Sequence, residues 1–276
     1  MSDAAPAPPI RITDVDDPAI AVFRNVKERD LVGRAGVFIA EGLSVLTVLL
    51  TRSPCETLAI LVEESRARRL PVLAHRKDAS LYVAPQRVID AIAGFHLHRG
   101  ILAAGRIPAS PPLASVLPEG PVRLPVLVGL SNHDNVGGAY RNAAAFGAAA
   151  VAIDPQTADP FYRKAIRVGV GAPLMVPTVR GEAGALVAAL AASGLTVYAL
   201  TPHARASVGE TALARRAAFL LGTEGEGLPD ALIAAAEPLA VRIAPDFDSL
   251  NVATTSGIVL HAHAAAHGLS PRVPPR

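Results

Sequence analysis

Downstream of Pro125 the chain carries a series of short, uninterrupted apolar runs, each of strand length and each followed by an amphipathic stretch. The runs are Pro125–Leu130, Ala149–Ile153, Leu174–Pro177, Leu195–Leu200, Ala217–Gly222 and Leu239–Ile243. A strand that is apolar throughout is buried on both faces, and helical segments between such strands imply a parallel sheet covered on each side. The expected fold class is therefore α/β. Ligands of parallel sheets bind beyond the carboxyl ends of the strands, so the loops after these runs are the places to look for chemistry.

The upstream half shows the same alternation on a smaller scale, with Val37–Ala40, Leu58–Val62, Leu81–Ala84 and Ile101–Ala104 as expected strands. Between the halves lie Pro108, Pro111, Pro112, Pro118, Pro121 and Pro125, a density that reads as a linker. The expected organisation is a disordered tail over 1–9, a small α/β domain over 10–105, a linker over 106–122, a larger parallel-sheet domain over 123–268 and a tail over 269–276. With 276 residues, of which 51% are hydrophobic, the chain can bury a core in each unit. The longest uncharged stretch, Ala183–Leu200, nearly reaches the length of a bilayer span. Ser193-Gly194 breaks it into a helix and a strand, so no membrane partner is expected.

Cys55 is the single cysteine, which excludes an internal disulfide and any paired-cysteine metal or redox motif. The N-terminal MSDAAPAPP has neither a basic flank nor an apolar core, so it does not read as a targeting peptide, and the cytoplasm is the expected compartment. A formal charge of +2 permits a nucleic-acid partner without identifying one. Aromatic residues make up only 4% and tryptophan is absent, which argues against a face built on base stacking and for recognition through phosphate contacts and shape.

Three loops put glycine and polar residues directly after a buried strand. In Leu130 to Gly147, Ser131 to Asn135 supply turn and cap chemistry for a helix that carries Arg141 about two turns on. In Leu221 to Pro229, Gly222, Gly225 and Gly227 allow close backbone approach around Glu224. In Val241 to Val252, a polar loop leads into the final helix, with Ser249 suited to the N-cap and Asn251 in the first turn. Taken singly, each is ordinary turn chemistry, and Glu224 could serve only as a first-turn carboxylate. Neither GxGxxG nor GxxxxGK[ST] is present, which disfavours ordinary nucleotide binding.

Taken together and in order, the three segments resemble the three signature motifs of the SpoU family of the SPOUT superfamily. Asn135-Val-Gly with Arg141 and Phe146-Gly147 is similar to motif one, Gly222-Thr-Glu-Gly-x-Gly-Leu228 to motif two, and Ile243 through Ser249-Leu-Asn-Val252 to motif three. Asp159 to Ala172 is similar to a further family segment, which usually has Ser where this chain has Gly169. Lys27-Glu-Arg-Asp30, Phe38-Ile-Ala-Glu-Gly42 and Gly100-Ile-Leu-Ala103 resemble, more loosely, a ribosomal-protein-like substrate domain.

The resemblance implies an α/β-knot domain whose C-terminal segment forms a trefoil knot, an exception to the rule that chains avoid threading. It implies methylation of a ribose 2′-hydroxyl in structured RNA, ribosomal by family analogy, with S-adenosylmethionine as cofactor and two subunits pairing to complete the RNA site. Carried over by position, Gly222, Ile243 and Leu250 would contact the cofactor, with Thr223 and Thr201 as additions. Arg141 would clamp phosphate and stabilise developing negative charge, Asn135 and Glu224 would orient Arg141 and the loop, and Ser249 and Asn251 would position the ribose or fix loop geometry. After Val252 the family usually continues Ser-Val-Ala, whereas this chain reads Ala253-Thr-Thr-Ser256. The small residues of that face would suit close packing in a homodimer, and Gly169 removes a hydroxyl suited to an RNA phosphate.

Other readings stay open beside this one: a non-catalytic RNA-binding or ribosome-associated protein that keeps the fold, a small-molecule enzyme using the same glycine loops, or transfer RNA as the substrate. His263 and His267 share a helix face at a spacing that suits a metal, but no carboxylate is interleaved and His261 points elsewhere, so no metal is expected. Histidines near a helix C-terminus are favoured by its dipole in any case. Arg24, Lys27, Arg29 and Arg34, with Glu28 and Asp30 among them, fit an RNA contact and a solvated helix face equally well.

Overall fold

The computed structural model describes residues 7–24, 36–76, 78–94, 97 and 100–269. They divide into two compact units, one drawn from residues up to Pro108 together with Phe161–Met175, the other from Ala109–Pro160 together with the residues from Val176 onward.

The first unit is built on strands β1 (Ile10–Arg11), β2 (Val37–Glu41), β3 (Thr57–Glu63), β4 (Ser80–Ala84) and β5 (Ile101–Arg106), in the order β1-β4-β3-β5-β2. β1, β4 and β3 run parallel, and β5 is antiparallel to both of its neighbours. Side chains alternate across the sheet: Phe38, Ile60 and Leu81 enter one core with the helix Leu43–Thr51, and Ile39, Leu61 and Tyr82 enter the other with the helix Gln86–Ala93. β5 runs on through Gly105 and Arg106, which pair with Phe38 and Val37, so the strand occupies the expected start of the linker. Gly105 is required there, because a Cβ would come within 2.3 Å of the Phe38 ring.

Residues 161–175 lie within the stretch expected for the larger domain but pack in this first unit. Phe161, Ile166 and Leu174 complete its core, and the Phe161 ring lies 6.0 Å from that of Phe38. Arg163 pairs with Glu41 at 2.9 Å, and the Ser53 hydroxyl donates to the Leu174 carbonyl at 2.6 Å. Gly169 ends the short helix Arg163–Val168 with φ −70°, a backbone that any residue adopts. Of the N-terminal basic group, Arg24 donates to the Asp17 carbonyl and lies 3.6 Å from Asp16. Lys27, Glu28, Arg29, Asp30 and Arg34 lie outside the described residues, as do residues 1–6 and 270–276 of the expected tails.

The second unit is a six-stranded sheet, parallel throughout, of β6 (Val122–Leu127), β7 (Val151–Ile153), β8 (Thr178–Arg180), β9 (Thr196–Leu200), β10 (Arg216–Leu221) and β11 (Glu237–Leu239), in the order β11-β9-β10-β6-β7-β8. This is the α/β class that the continuous apolar runs imply. Three runs are displaced. Leu174 closes a 3-10 turn, and the strand starts only at Thr178. The last run pairs as Glu237–Leu239 and is out of the sheet by Ile243. The first begins at Val122 and places Pro125 in a central strand, against expectation. Val122 and Val128 donate toward β10, so Pro125, at odd offset, faces its missing N–H toward β7, where paired residues begin only at Val126. Ala183–Leu200 divides as expected into the helix Ala183–Ala192, a turn with Gly194 at φ 76°, and β9. Among the described residues no helix is long and apolar enough to cross a membrane.

Two helices carry the polar motifs, His133–Ala145 after β6 and Val252–His267 at the end of the chain, and they pack side by side. Gly138 permits this closeness, since a Cβ there would lie 2.6 Å from that of Ala253. Asn142 donates to the Ala253 carbonyl at 2.6 Å and to the Ser256 hydroxyl at 2.9 Å. Of the small face Ala253–Ser256, read from sequence as suited to a dimer, Ala253 and Ser256 pack within the chain, while Thr254 is exposed.

At the other end of this helix pair, the buried Arg123 guanidinium donates to the carbonyls of Phe146 and Gly268, satisfying the last turn of both helices. Its Nε donates to His263 Nδ1 at 3.0 Å, which fixes the ring proton on Nε2, where it donates to the Ala214 carbonyl at 3.0 Å. Both nitrogens of His263 are therefore engaged within the protein, and His267 donates to the Leu213 carbonyl at 2.7 Å. The dipole argument for these histidines gives way to burial: His263 is neutral, its pKa pushed down to about 4 first by desolvation and then by the Arg123 charge. The unfolded ring takes up a proton near pH 6.5 and the folded one only near pH 4, so the contribution is whole above pH 6.5 and is lost as pH falls toward 4. The expected loss is about 3 kcal/mol. Urea unfolding at pH 7 and at pH 4.5 checks this, with His263→Asn flattening the difference; an equal pH dependence in that variant would contradict the assignment.

Candidate active site

A cleft of about 1040 Å³ opens beyond the carboxyl ends of β9 and β10, the position that a parallel sheet offers a ligand. Its walls come from the residues after β9, from the glycine loop after β10 and from the segment leading into the final helix. Gly222, Thr223, Thr201, Ile243 and Leu250 all line it, as do Glu224, Ser249 and Asn251. The glycine loop closes on itself through a bridge between Thr223 and Gly227, the latter at φ 72°. Gly222 packs against that turn so tightly that a Cβ would lie 2.4 Å from the Gly227 carbonyl carbon and 2.6 Å from the Leu228 nitrogen. The result is a backbone-walled cradle with carboxylates at its rim, Glu224, Glu226, Asp230 and Asp248 among them.

Asn251 joins the three motif loops. Its Nδ2 donates to Asn135 Oδ1 at 2.8 Å and to Glu224 Oε1 at 2.7 Å, while its Oδ1 accepts from the backbone of Ala253 at 2.9 Å and Thr254 at 3.2 Å. Both amide protons and the oxygen are therefore used, and the carboxylate partner fixes which end of the amide is which. Asn251 is itself the N-cap of the final helix, where Ser249 was expected, and Ser249 stays in the cleft wall. Asn132 caps the helix His133–Ala145 by accepting from the Asp134 backbone at 2.9 Å, which sets Asn135 in the first turn, buried and facing Asn251.

Arg141 stands apart from this group. Asn135, Gly138 and Asn142 share one helix face, and six residues of helix turn Arg141 roughly 120° away from Asn135. Arg141 is exposed, and it is not among the residues that line the cleft. Asn135 and Glu224 accept from Asn251, so the loop-fixing part expected of these three residues has bonds behind it, while the bonds of Asn135 and Glu224 run to Asn251 and not to Arg141.

Sequence reasoning missed a second layer beneath the cleft. Buried Asp154 accepts through Oδ1 from the Gly129 backbone at 3.0 Å, the Thr157 backbone at 2.9 Å and the Thr157 hydroxyl at 2.6 Å. This ties the loop after β7 to the loop that starts motif one, and Gly129 in turn abuts Thr223, where a Cβ would meet the methyl at 3.1 Å. An Asp three residues before a Thr directly after a buried strand was the available signal. Asn142, two turns from Asn135 and on the same face, was another.

The sequence matches the family described as the SpoU rRNA Methylase family over residues 124–261. An uncharacterized tRNA/rRNA methyltransferase of Mycobacterium tuberculosis is 35% identical over 273 residues, covering 94% of this chain and 93% of that protein. A crystal structure of an RNA 2′-O ribose methyltransferase superposes with a TM-score of 0.76 at 26% identity, over 93% of this chain and 99% of the other. An AdoMet-bound rRNA methyltransferase from Sinorhizobium meliloti shares the fold, with a TM-score of 0.78 at 21% identity over 93% of this chain and 97% of the other.

Proposed function

Because the chain belongs to the SpoU rRNA methylase family and is an S-adenosylmethionine-dependent RNA methyltransferase, we propose that it methylates a ribose 2′-hydroxyl in structured ribosomal RNA. The observation that carries this reading is the convergence of three loops, distant in sequence, on Asn251 at the mouth of a glycine-walled cleft. A cleft wall made of glycine-rich backbone suits a ligand held by backbone groups, and a carboxylate rim suits a cationic sulfonium. Gly222, Thr223, Ile243, Leu250 and Thr201 would hold the cofactor. When bound, it supplies an electrophilic methyl group for the attacking oxygen.

The chain's own residues then have separable tasks. Asn251, held by Asn135 and Glu224, keeps the cleft mouth in one geometry, and Ser249 beside it positions the ribose. Arg141 clamps a phosphate next to the reacting ribose with its planar fork and stabilises negative charge on the 2′-oxygen as that oxygen's proton passes to phosphate. A guanidinium remains protonated at neutral pH, so its part is electrostatic. Because Arg141 lies off its own cleft wall, a homodimer in which a second copy presents Arg141 to the cleft fits this arrangement. The RNA-contacting role of the first unit rests on the resemblance of residues 10–105 to a ribosomal-protein-like domain.

Incubating the chain with ribosomal RNA and methyl-labelled cofactor tests the reaction. Label is expected on a nucleotide whose 3′ phosphodiester resists alkali, because a 2′-O-methyl group removes the internal nucleophile. Label on a base, or none on RNA, would contradict it.

A further inference from the structure

The segment between Ile243 and Asn251 contains a residue whose placement neither the packing nor the hydrogen bonds explain. Phe247 is 64% exposed, while Phe23, Phe38, Phe161 and Phe219 are buried and Phe146 is half-covered by the His261 ring at 5.5 Å. A turn closed by the Phe247 backbone donating to the Ala244 carbonyl at 3.1 Å presents the ring, and exposed Asp246 and Asp248 flank it. Burial is the usual gain from a phenyl ring, and here that gain is forgone. Phe247 nevertheless lines the cleft, where the other apolar walls, such as Leu200, Ile243 and Leu250, are aliphatic. A flat ring left exposed at the edge of a ligand cleft, between groups that keep the loop hydrated, matches what a stacking surface needs.

We propose that Phe247 is a stacking platform for a nucleobase, either the adenine of the cofactor or the base of the nucleotide being methylated. This rests on the function proposed above, and it places one base-stacking contact in a chain whose composition argued against a stacking face. Stacking accepts any base, so the contact adds affinity without sequence preference.

The chain has no tryptophan, so Phe247→Trp introduces a single indole whose emission reports the ring directly, independent of turnover. Emission is expected to be quenched on titration with S-adenosylmethionine or S-adenosylhomocysteine if the adenine is the partner, and only on addition of RNA if the nucleotide is. Phe247→Leu, which keeps apolar bulk without the flat face, is expected to lose roughly 5- to 150-fold in affinity for that same partner. Unchanged emission with both partners bound, or parental affinity of Phe247→Leu for both, would overturn the platform. Calorimetry on the parent chain separates the two readings. If the parent binds no cofactor, the proposed function falls and the platform with it; if the parent binds and the two variants behave like it, the platform alone falls.

Discussion

Arg141→Ala is expected to lower single-turnover methyl transfer by roughly 10²- to 10³-fold, the usual cost of removing a donor aimed at charge that develops in the transition state. Cofactor affinity should stay near the parental value, because Arg141 is exposed and outside the cleft lining. Folding should be little affected as well, since Arg141 lies off the helix face that packs on Ala253 and Ser256. Arg141→Lys should recover little, because an ammonium keeps the charge but cannot reproduce the two-point grip of the planar fork. Loss of cofactor binding in Arg141→Ala, or near-parental turnover, would remove Arg141 from the RNA side of the reaction.

Gly222→Val should have the opposite signature, with cofactor binding abolished. A Cβ at this position meets backbone of Gly227 and Leu228, not a side chain that can swing aside, so the loop itself must open. The displaced loop carries Glu224, and its bond to Asn251 would be strained or lost. Overpacking of this kind costs about 1–3 kcal/mol in stability, which thermal unfolding would register. Calorimetry reads the binding, and a variant that binds cofactor as the parent does would show that the ligand lies elsewhere. The two variants also test whether the site is shared between copies. If Arg141 serves the cleft of a second copy, co-refolding Arg141→Ala with Gly222→Val yields mixed dimers with one intact composite site, and activity returns from two inactive chains. If Arg141 serves its own cleft, the mixture stays inactive.

The α/β class was legible because strands buried on both faces leave continuous apolar runs: Leu195–Leu200 and Ala217–Gly222 coincide with β9 and β10 to within a residue. Apolar runs do not say where pairing starts, however. Leu174 and Val176 are as buried as strand residues yet belong to a turn and its exit, and Pro125 sits in β6 because its missing donor faces the side where β7 has not begun. Residues 161–175 read as part of the second unit by position, and only the apolar contacts of Phe161, Ile166 and Leu174 assign them to the first.

The cleft lining was legible in the glycine and polar loops, but not the wiring among their side chains. Ser249 and Asn251 are equally good caps on local chemistry. What chooses Asn251 is that its remaining amide protons reach Asn135 and Glu224, residues far away in the chain. Likewise, a histidine near a helix end suggests a cation until its neighbour is known. Burial first, and then a neighbouring Arg123 that needs an acceptor, keep His263 neutral.

The proposed activity is tested most directly by mapping ribose methylation across ribosomal RNA from cells with and without this protein. One or a few 2′-O-methyl positions are expected to disappear in its absence, and to return when the parent chain is supplied but not when Arg141→Ala is. An unchanged ribose methylation map, with or without changes to base methylation, would contradict it.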